Sequence, residues 1–156
     1  MARVKICGLA LVMAMPGAVG RASAATFVSD TYVGSQTGRF SYDGRWTHVR
    51  HITDGRLFGT SSRTSDPHAE VSLSFVGRVV RVYGVRGRGG GYGTVSIDGK
   101  RYPDIDFNAI HKIPRAVIFS SPILAQGLHQ LLIDALPDRR ALGDVRFINI
   151  SGAVYQ

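Results

Sequence analysis

Cysteine is almost missing from this chain of 156 residues: Cys7 is the only one. That excludes a disulfide framework and any zinc site built on thiolates. Glutamate is as scarce, with Glu70 alone, and lysine occurs three times. No apolar run approaches the roughly 18 residues that a membrane-spanning helix needs. No G-x-S-x-G, Gly-Asp-Ser or H-E-x-x-H stretch occurs, so the usual signatures of serine hydrolases and zinc proteases are absent. A glycosidase pair would have to be built from Asp, and spacing assigns no two Asp residues the acid and base roles. The chain reads as non-catalytic. What is present is globular in balance, with 44% hydrophobic and 19% charged residues, which excludes wholesale disorder.

Residues 1–24 read as an export signal. Arg3 and Lys5 precede an almost wholly apolar stretch over residues 6–19, long enough for a signal and too short to cross a bilayer. Ala22-Ser23-Ala24 offers the small side chains a signal peptidase accepts, so cleavage is expected after Ala24. Cys7 stands early in the apolar stretch rather than at its end, which argues against a lipid attachment site. Removing residues 1–24 leaves a single domain, residues 25–156, with no cysteine and sixteen Arg and Lys against eleven Asp and Glu. A periplasmic or extracellular domain of that size is held by its core alone. Its basic balance suits an acidic glycan or another anionic envelope polymer, whereas an exported protein does not ordinarily meet nucleic acid.

Beyond residue 25 the pattern is that of strands. Val71-Ser72-Leu73-Ser74-Phe75 alternates strictly, and Gly77 closes it. The Phe75-Val76-Gly77-Arg78 stretch predicts a tight turn with Gly77 at positive φ. Val80, Val82 and Gly84 share one face of the next segment. Thr94-Val95-Ser96-Ile97 meets Asp98-Gly99, the signal of a two-residue type I′ hairpin. Ala116-Val117-Ile118-Phe119 is a continuous apolar run, as in a strand covered on both faces. Residues 128–133 and 145–150 add two more, with His129 and Leu131 on one side. Weaker candidates lie at residues 26–33, 40–42, 46–52 and 57–64. The sum is all-β, an antiparallel jelly-roll β-sandwich of roughly nine to eleven strands.

Several segments together resemble a known family. They are Tyr42-Asp43-Gly44-Arg45-Trp46, residues 69–77, Val80-Arg81-Val82-Tyr83-Gly84, residues 93–99 and Gly127-Leu128-His129-Gln130-Leu131. Their order is similar to that of galactose-binding-like jelly-roll modules found beside or within bacterial glycan-active enzymes. It is also similar to the N-terminal jelly roll of two-domain SGNH carbohydrate esterases, and this chain stops where their hydrolase domain would begin. The resemblance spans residues 40–155 and implies a carbohydrate-binding module.

Two clusters are candidates for ligand contact. Tyr42, Arg45, Trp46 and His48 combine aromatic rings, on which sugar C–H faces stack, with groups that bond hydroxyls. Trp46, the only tryptophan, is either core or the ligand platform. Arg86, Arg88 and Tyr92 lie in the glycine-rich residues 86–93, expected to be a hairpin loop with a flexible tip, since a phosphate loop would need a helix after it. Two Arg and a Tyr there suit a sugar or a carboxylate. His48 and His51 point to opposite faces of a strand and so do not share a metal. His129 reads as a buried or rim histidine with a bonded nitrogen. No cofactor or metal is expected; Asp104 and Asp106 read as solvated edge carboxylates before they read as a calcium site. The expected partner is a polysaccharide or glycan, with a glycan-active enzyme as a further partner, and no membrane span. The alternative is an envelope assembly subunit that docks a partner protein or enzyme.

Overall fold

The computed structural model describes residues 24–50, 59–136 and 146–156. All of the expected export signal except Ala24, and His51 as well, lie outside the described residues. The alternation read in the sequence becomes two-faced strands. In β5 (Glu70–Gly77), Val71, Leu73, Phe75 and Gly77 are buried and the residues between them are not. β10 (Gly127–Ala135) does the same with His129, Leu131, Ile133 and Ala135. The two strands pair along their length, Leu73 opposite Leu131 and Val71 opposite Ile133.

Around this pair lie β1 (Thr26–Ser29), β2 (Phe40–Asp43), β3 (Thr47–Arg50), β4 (Thr60–Thr64), β6 (Val80–Arg86), β7 (Tyr92–Ile97) and β8 (Lys100–Asp106). β9 (Ile113–Ser120), β11 (Ile148–Ile150) and β12 (Gly152–Tyr155) complete twelve strands among the described residues, slightly more than expected. One sheet runs β2-β5-β10-β7-β8, the second β1-β12-β6-β9, and a smaller third β11-β4-β3. Every strand pairing is antiparallel. The fold is an all-β sandwich, with Phe40, Leu73, Phe75, Val80, Val82 and Phe107 at the centre of its core. β12 escaped the sequence reading because it opens on Gly152-Ala153, which carry no β-branched side chain.

Three local expectations are corrected. β5, β6 and β7 do not pair in succession: β6 belongs to a different sheet from β5 and β7. The glycine-rich residues 86–93 are thus a crossover between sheets, not a hairpin loop. Gly77 does not have a positive φ; it is small because a Cβ there would lie 2.5 Å from the Gln156 carbonyl oxygen. Nor is β9 covered on both faces. It is an edge strand whose Val117 is 52% exposed, and only Phe119 of the apolar run is buried. A short apolar run carries no record of which side will be covered, and Pro114 suits an edge that needs no donor there. The Asp98-Gly99 hairpin between β7 and β8 has the expected shape, with φ of 52° and 75°.

Asp98 also has a second task. Its Oδ1 accepts from the Gln130 amide at 2.8 Å and its Oδ2 lies 2.6 Å from His129 Nδ1. The other ring nitrogen, Nε2, lies 2.9 Å from the Ala125 carbonyl oxygen. Both partners of His129 are acceptors, so the ring bonds both best as the doubly protonated cation. The Asp98 bond first, then the Ala125 carbonyl, raises the imidazole above its ordinary 6.5, against the opposing effect of burial. The His129 bond first, then the Gln130 amide, lowers Asp98 below its ordinary 3.8.

Two outcomes follow for stability. Leu73→Ala, which opens a cavity between the two main sheets, costs about 2–5 kcal/mol, whereas Leu128→Ala on the exposed face of β10 shifts stability by less than about 0.5 kcal/mol. Urea unfolding of the two variants reads the contrast. The His129–Asp98 contribution is full between the two ordinary values, near pH 3.8 and pH 6.5. It is lost as pH rises through the raised histidine value or falls through the lowered aspartate value. The melting-temperature gap between the native protein and Asp98→Asn is therefore widest in that window; a gap that does not vary with pH contradicts the assignment.

Candidate functional site

The three-stranded sheet has two unlike faces because its side chains alternate with period two. Across it, Thr47 pairs with Arg63 and Arg63 with Asn149, while Val49 pairs with Ser61. That row forms the outer face, with Thr47 and Arg63 exposed and Ser61 covered. His48, Ser62 and Ile150 form the intervening row on the other face, where Ser62 and Ile150 are buried and His48, on the edge strand, is exposed. The outward row is the floor of a cleft of about 550 Å³, well within the range of small-ligand sites. One wall is the crossover after β6, with Arg86 and Arg88; the other is the β8–β9 connection, with Ile110, His111 and Lys112.

Main-chain contacts hold this arrangement. A Cβ on Gly84 would lie 2.0 Å from the Asn149 carbonyl oxygen, so β6 and β11 approach only because residue 84 has no side chain. The crossover is tied down on both sides. Phe147 N donates to Gly89 O and Gly91 N to Phe147 O, each at 2.9 Å, while Gly87 N donates to Phe107 O at 3.0 Å and Phe107 N to Gly91 O at 2.9 Å. A Cβ at Gly90 would lie 2.0 Å from Phe107 O. Gly90 serves close packing while Gly89 takes the positive φ of a turn closed by Gly90 N donating to Gly87 O at 3.0 Å, and the tip expected to be flexible is bonded on both flanks. Opposite Val85, β9 bulges by one residue, with Arg115 at φ 60°, which bends the strand end that carries Arg86.

The cleft is strongly cationic. Arg63, Arg86, Arg88 and Lys112 line it with His111, and no carboxylate is among its described lining residues. Among the described residues no acid pairs with any of those four cations. Arg86 Nη2 donates to Asn108 O at 3.2 Å and Arg88 Nε to Ile110 O at 3.0 Å, so both arginines brace the opposite wall. Arg86 Nε is buried without a hydrogen-bond partner among the described residues, which leaves an unmet donor at the cleft wall. Asn149 Oδ1 accepts from Val85 N at 3.3 Å and its Nδ2 donates to Ser61 Oγ at 3.4 Å. Tyr92 lies outside the lining. Its hydroxyl donates to Asp106 Oδ2 at 3.4 Å, and Asp106 Oδ1 accepts from Asn108 N at 2.8 Å, which anchors the root of the wall.

A smaller groove of about 330 Å³ adjoins the cleft. Arg63 and Phe147 line both, and the Arg63 guanidinium sits 5.3 Å above the Phe147 ring as a ridge between them. The groove holds Arg45, Trp46 and Asp66. Asp66 accepts backbone bonds from His68 and Arg45, which, in that order, hold its carboxyl below the ordinary range. Arg45 reaches it at 3.8 Å from an almost fully exposed position. Trp46 is intermediate between its two expected roles. Its ring meets Tyr42 edge-on at 4.9 Å and packs on the core, its Nε1 donates to Asp43 O at 2.8 Å, and its remaining surface lines the groove.

Tyr42 and His48 line neither cavity; they stand behind the three-stranded sheet. Burial pushes the Tyr42 phenol above its ordinary range, so it stays a donor, and it bonds Asp30 O at 2.8 Å. Asp30 is fully buried and accepts from Thr60 Oγ1 and from Ser62 Oγ, the latter at 2.7 Å. Because Ser62 donates to Asp30, His48 Nδ1, 2.6 Å from Ser62 Oγ, carries the hydrogen of that contact. The serine thus stands between the acid and the imidazole, buried, with its proton committed to Asp30. In a nucleophilic triad the imidazole stands in the middle.

The structure brings Arg45 and Trp46 to the groove and Arg86 and Arg88 to the adjoining cleft, so the two sequence clusters meet across one ridge. Arg63, Phe147, Lys112 and Asn149 belong to the site without having stood out in the sequence. Arg63 sat in a weak strand candidate and Phe147 in a clear one, where alternation gave a face but no partner. Asp104 is ion-paired with Arg101 at 2.9 Å. Among the described residues no group of three His, Cys, Asp or Glu side chains is placed to hold a metal ion, and no helix is long and apolar enough to cross a membrane.

No family model and no curated protein matches the sequence. Three solved structures are similar to it at a distance. A family two carbohydrate esterase from Cellvibrio japonicus matches over 85% of this chain and 32% of its own, at 14% identity and a TM-score of 0.46. The Agl-KA catalytic domain matches over 85% and 27%, at 8% identity and a TM-score of 0.49. A family 43 arabinoxylan arabinofuranohydrolase from Bacillus subtilis, in complex with cellotetraose, matches over 74% and 24%, at 15% identity and a TM-score of 0.42. This chain spans about a third or less of the length of each. Two of them, the esterase and the arabinofuranohydrolase, are carbohydrate-active by name, and the fold assignment here rests on strand order and register rather than on any of the three.

Proposed function

We propose that this protein is an exported, non-catalytic β-sandwich module that binds an acidic glycan in the cationic cleft. The observation that carries the reading is Arg63, Arg86, Arg88 and Lys112 converging on one cleft with no acid paired to them among the described residues. Arginine forks match carboxylate and sulfate oxygens in pairs, and Val49 and Val85 add apolar surface beside them. On the floor, Asn149 is held in place by its bonds to Val85 N and Ser61 Oγ. The sequence resemblance to carbohydrate-binding jelly rolls points the same way. The non-catalytic reading draws on the Asp30–Ser62–His48 order, which leaves the buried serine unactivated.

A screen of the purified protein against neutral and acidic glycans, at low and moderate salt, tests this. Acidic glycans are expected to bind and neutral ones to bind at least about tenfold more weakly, with Arg86→Ala/Arg88→Ala losing about 2 kcal/mol or more of affinity. Retention of a defined acidic glycan at moderate salt separates a site from bulk charge attraction. A folded protein that retains no glycan, and instead captures a partner protein, overturns the reading.

A further inference from the structure

We propose that the cleft and the groove are consecutive subsites for one saccharide chain in which an acidic sugar adjoins a neutral one, the acidic unit in the cleft. This rests on the glycan reading above and adds the chemistry of the second unit. The two cavities share Arg63 and Phe147 and nothing else among the described residues, so a ligand leaving one over that ridge enters the other.

They differ in that only the groove holds an acid among its described lining residues. Among the described residues the cleft presents four cations paired with no acid, whereas the groove adds a carboxylate, Asp66, beside Arg45, with Arg63 on the shared ridge. Two backbone amides hold Asp66, with Oδ1 accepting from His68 N at 3.1 Å and Oδ2 from Arg45 N at 3.2 Å. An anionic sugar in the groove would stand beside a fixed negative charge, whereas a hydroxyl-rich neutral sugar would donate to it. Thr47 and Ser65 line the same groove with further hydroxyls. Trp46 supplies the apolar surface, and its bond to Asp43 O together with the Tyr42 contact stops the indole from swinging. Phe147 is equally fixed, since its main chain is bonded on both sides to the glycine-rich crossover. The ridge therefore separates two rigid half-sites of fixed spacing, and a two-unit ligand pays its ordering cost once for both.

The test is an NMR titration of the isotope-labelled protein with three probes: glucuronic acid, a chondroitin disaccharide (glucuronate linked to N-acetylgalactosamine) and digalacturonate. Glucuronic acid is expected to shift the amides of Ser61, Gly87 and Gly89 in the cleft. The chondroitin disaccharide is expected to shift these and also Thr47, Ser65 and the Trp46 indole, and to bind about tenfold tighter than digalacturonate, as one like-charge contact at the groove would dictate. Asp66→Asn should narrow that preference severalfold, and Trp46→Phe, should the first variant not fold, should remove the gain of the disaccharide over the single sugar. Disaccharide shifts confined to the cleft, or equal affinity for the two disaccharides, overturn the subsite inference and leave the glycan reading standing. Three probes that leave every cleft amide unmoved overturn both.

Discussion

The cleft depends on one contact between main chains. Gly84 in β6 lies so close to the Asn149 carbonyl that any side chain there would displace β11, and with it the whole three-stranded sheet. That approach turns the outer face of a small sheet into a floor and the end of β6 into a wall. Gly90 repeats the device against Phe107, where the crossover meets the opposite wall. Since main chain rather than long side chains sets the spacing, the arginines that line the cleft are carried on a frame that is already in place before a ligand arrives.

Behind the floor the chain meets a harder problem. The inner row of the three-stranded sheet carries Ser62 and His48 beside the apolar Ile150, and Ser62 meets a fully buried Asp30. A buried carboxylate is tolerated only where donors surround it. Thr60 and Ser62 provide them, with Tyr42 bonded to the main chain of the same residue. Trp46 and His48 pack edge-on against Tyr42, so this polar network supports the groove from beneath. Residues that resemble a ligand-binding cluster in sequence thus divide between lining and support, according to which side of β3 they occupy.

That division marks how far the sequence could be read. Strict alternation in residues 71–75 and the pairing of His129 with Leu131 on one face identified the core strands, because period two leaves one register that buries the apolar set. Asp98-Gly99 identified its hairpin because both residues must take positive φ. The crossovers were not legible: Gly77 and Gly90 look like turn residues, as Gly89 is, and only the sheets on either side reveal that they allow close packing. Nor did any local signal place Arg63 and Phe147 between the two clusters, since that ridge joins residues far apart in the chain. Val117 shows the same limit in reverse, an apolar residue whose covering was decided by the edge position of β9.

The crowding of Arg63, Arg86, Arg88 and Lys112 has a cost that the rest of the sandwich must absorb. Like charges gathered without acids among the described residues repel one another, and the buried Arg86 Nε has given up water without gaining an acceptor. The cleft thus carries an uncompensated field, which the hydrophobic core of the sandwich has to offset. An anion bound there would relieve that field, so on the proposed reading binding and folding are thermodynamically linked and a ligand would stabilise the sandwich that holds it.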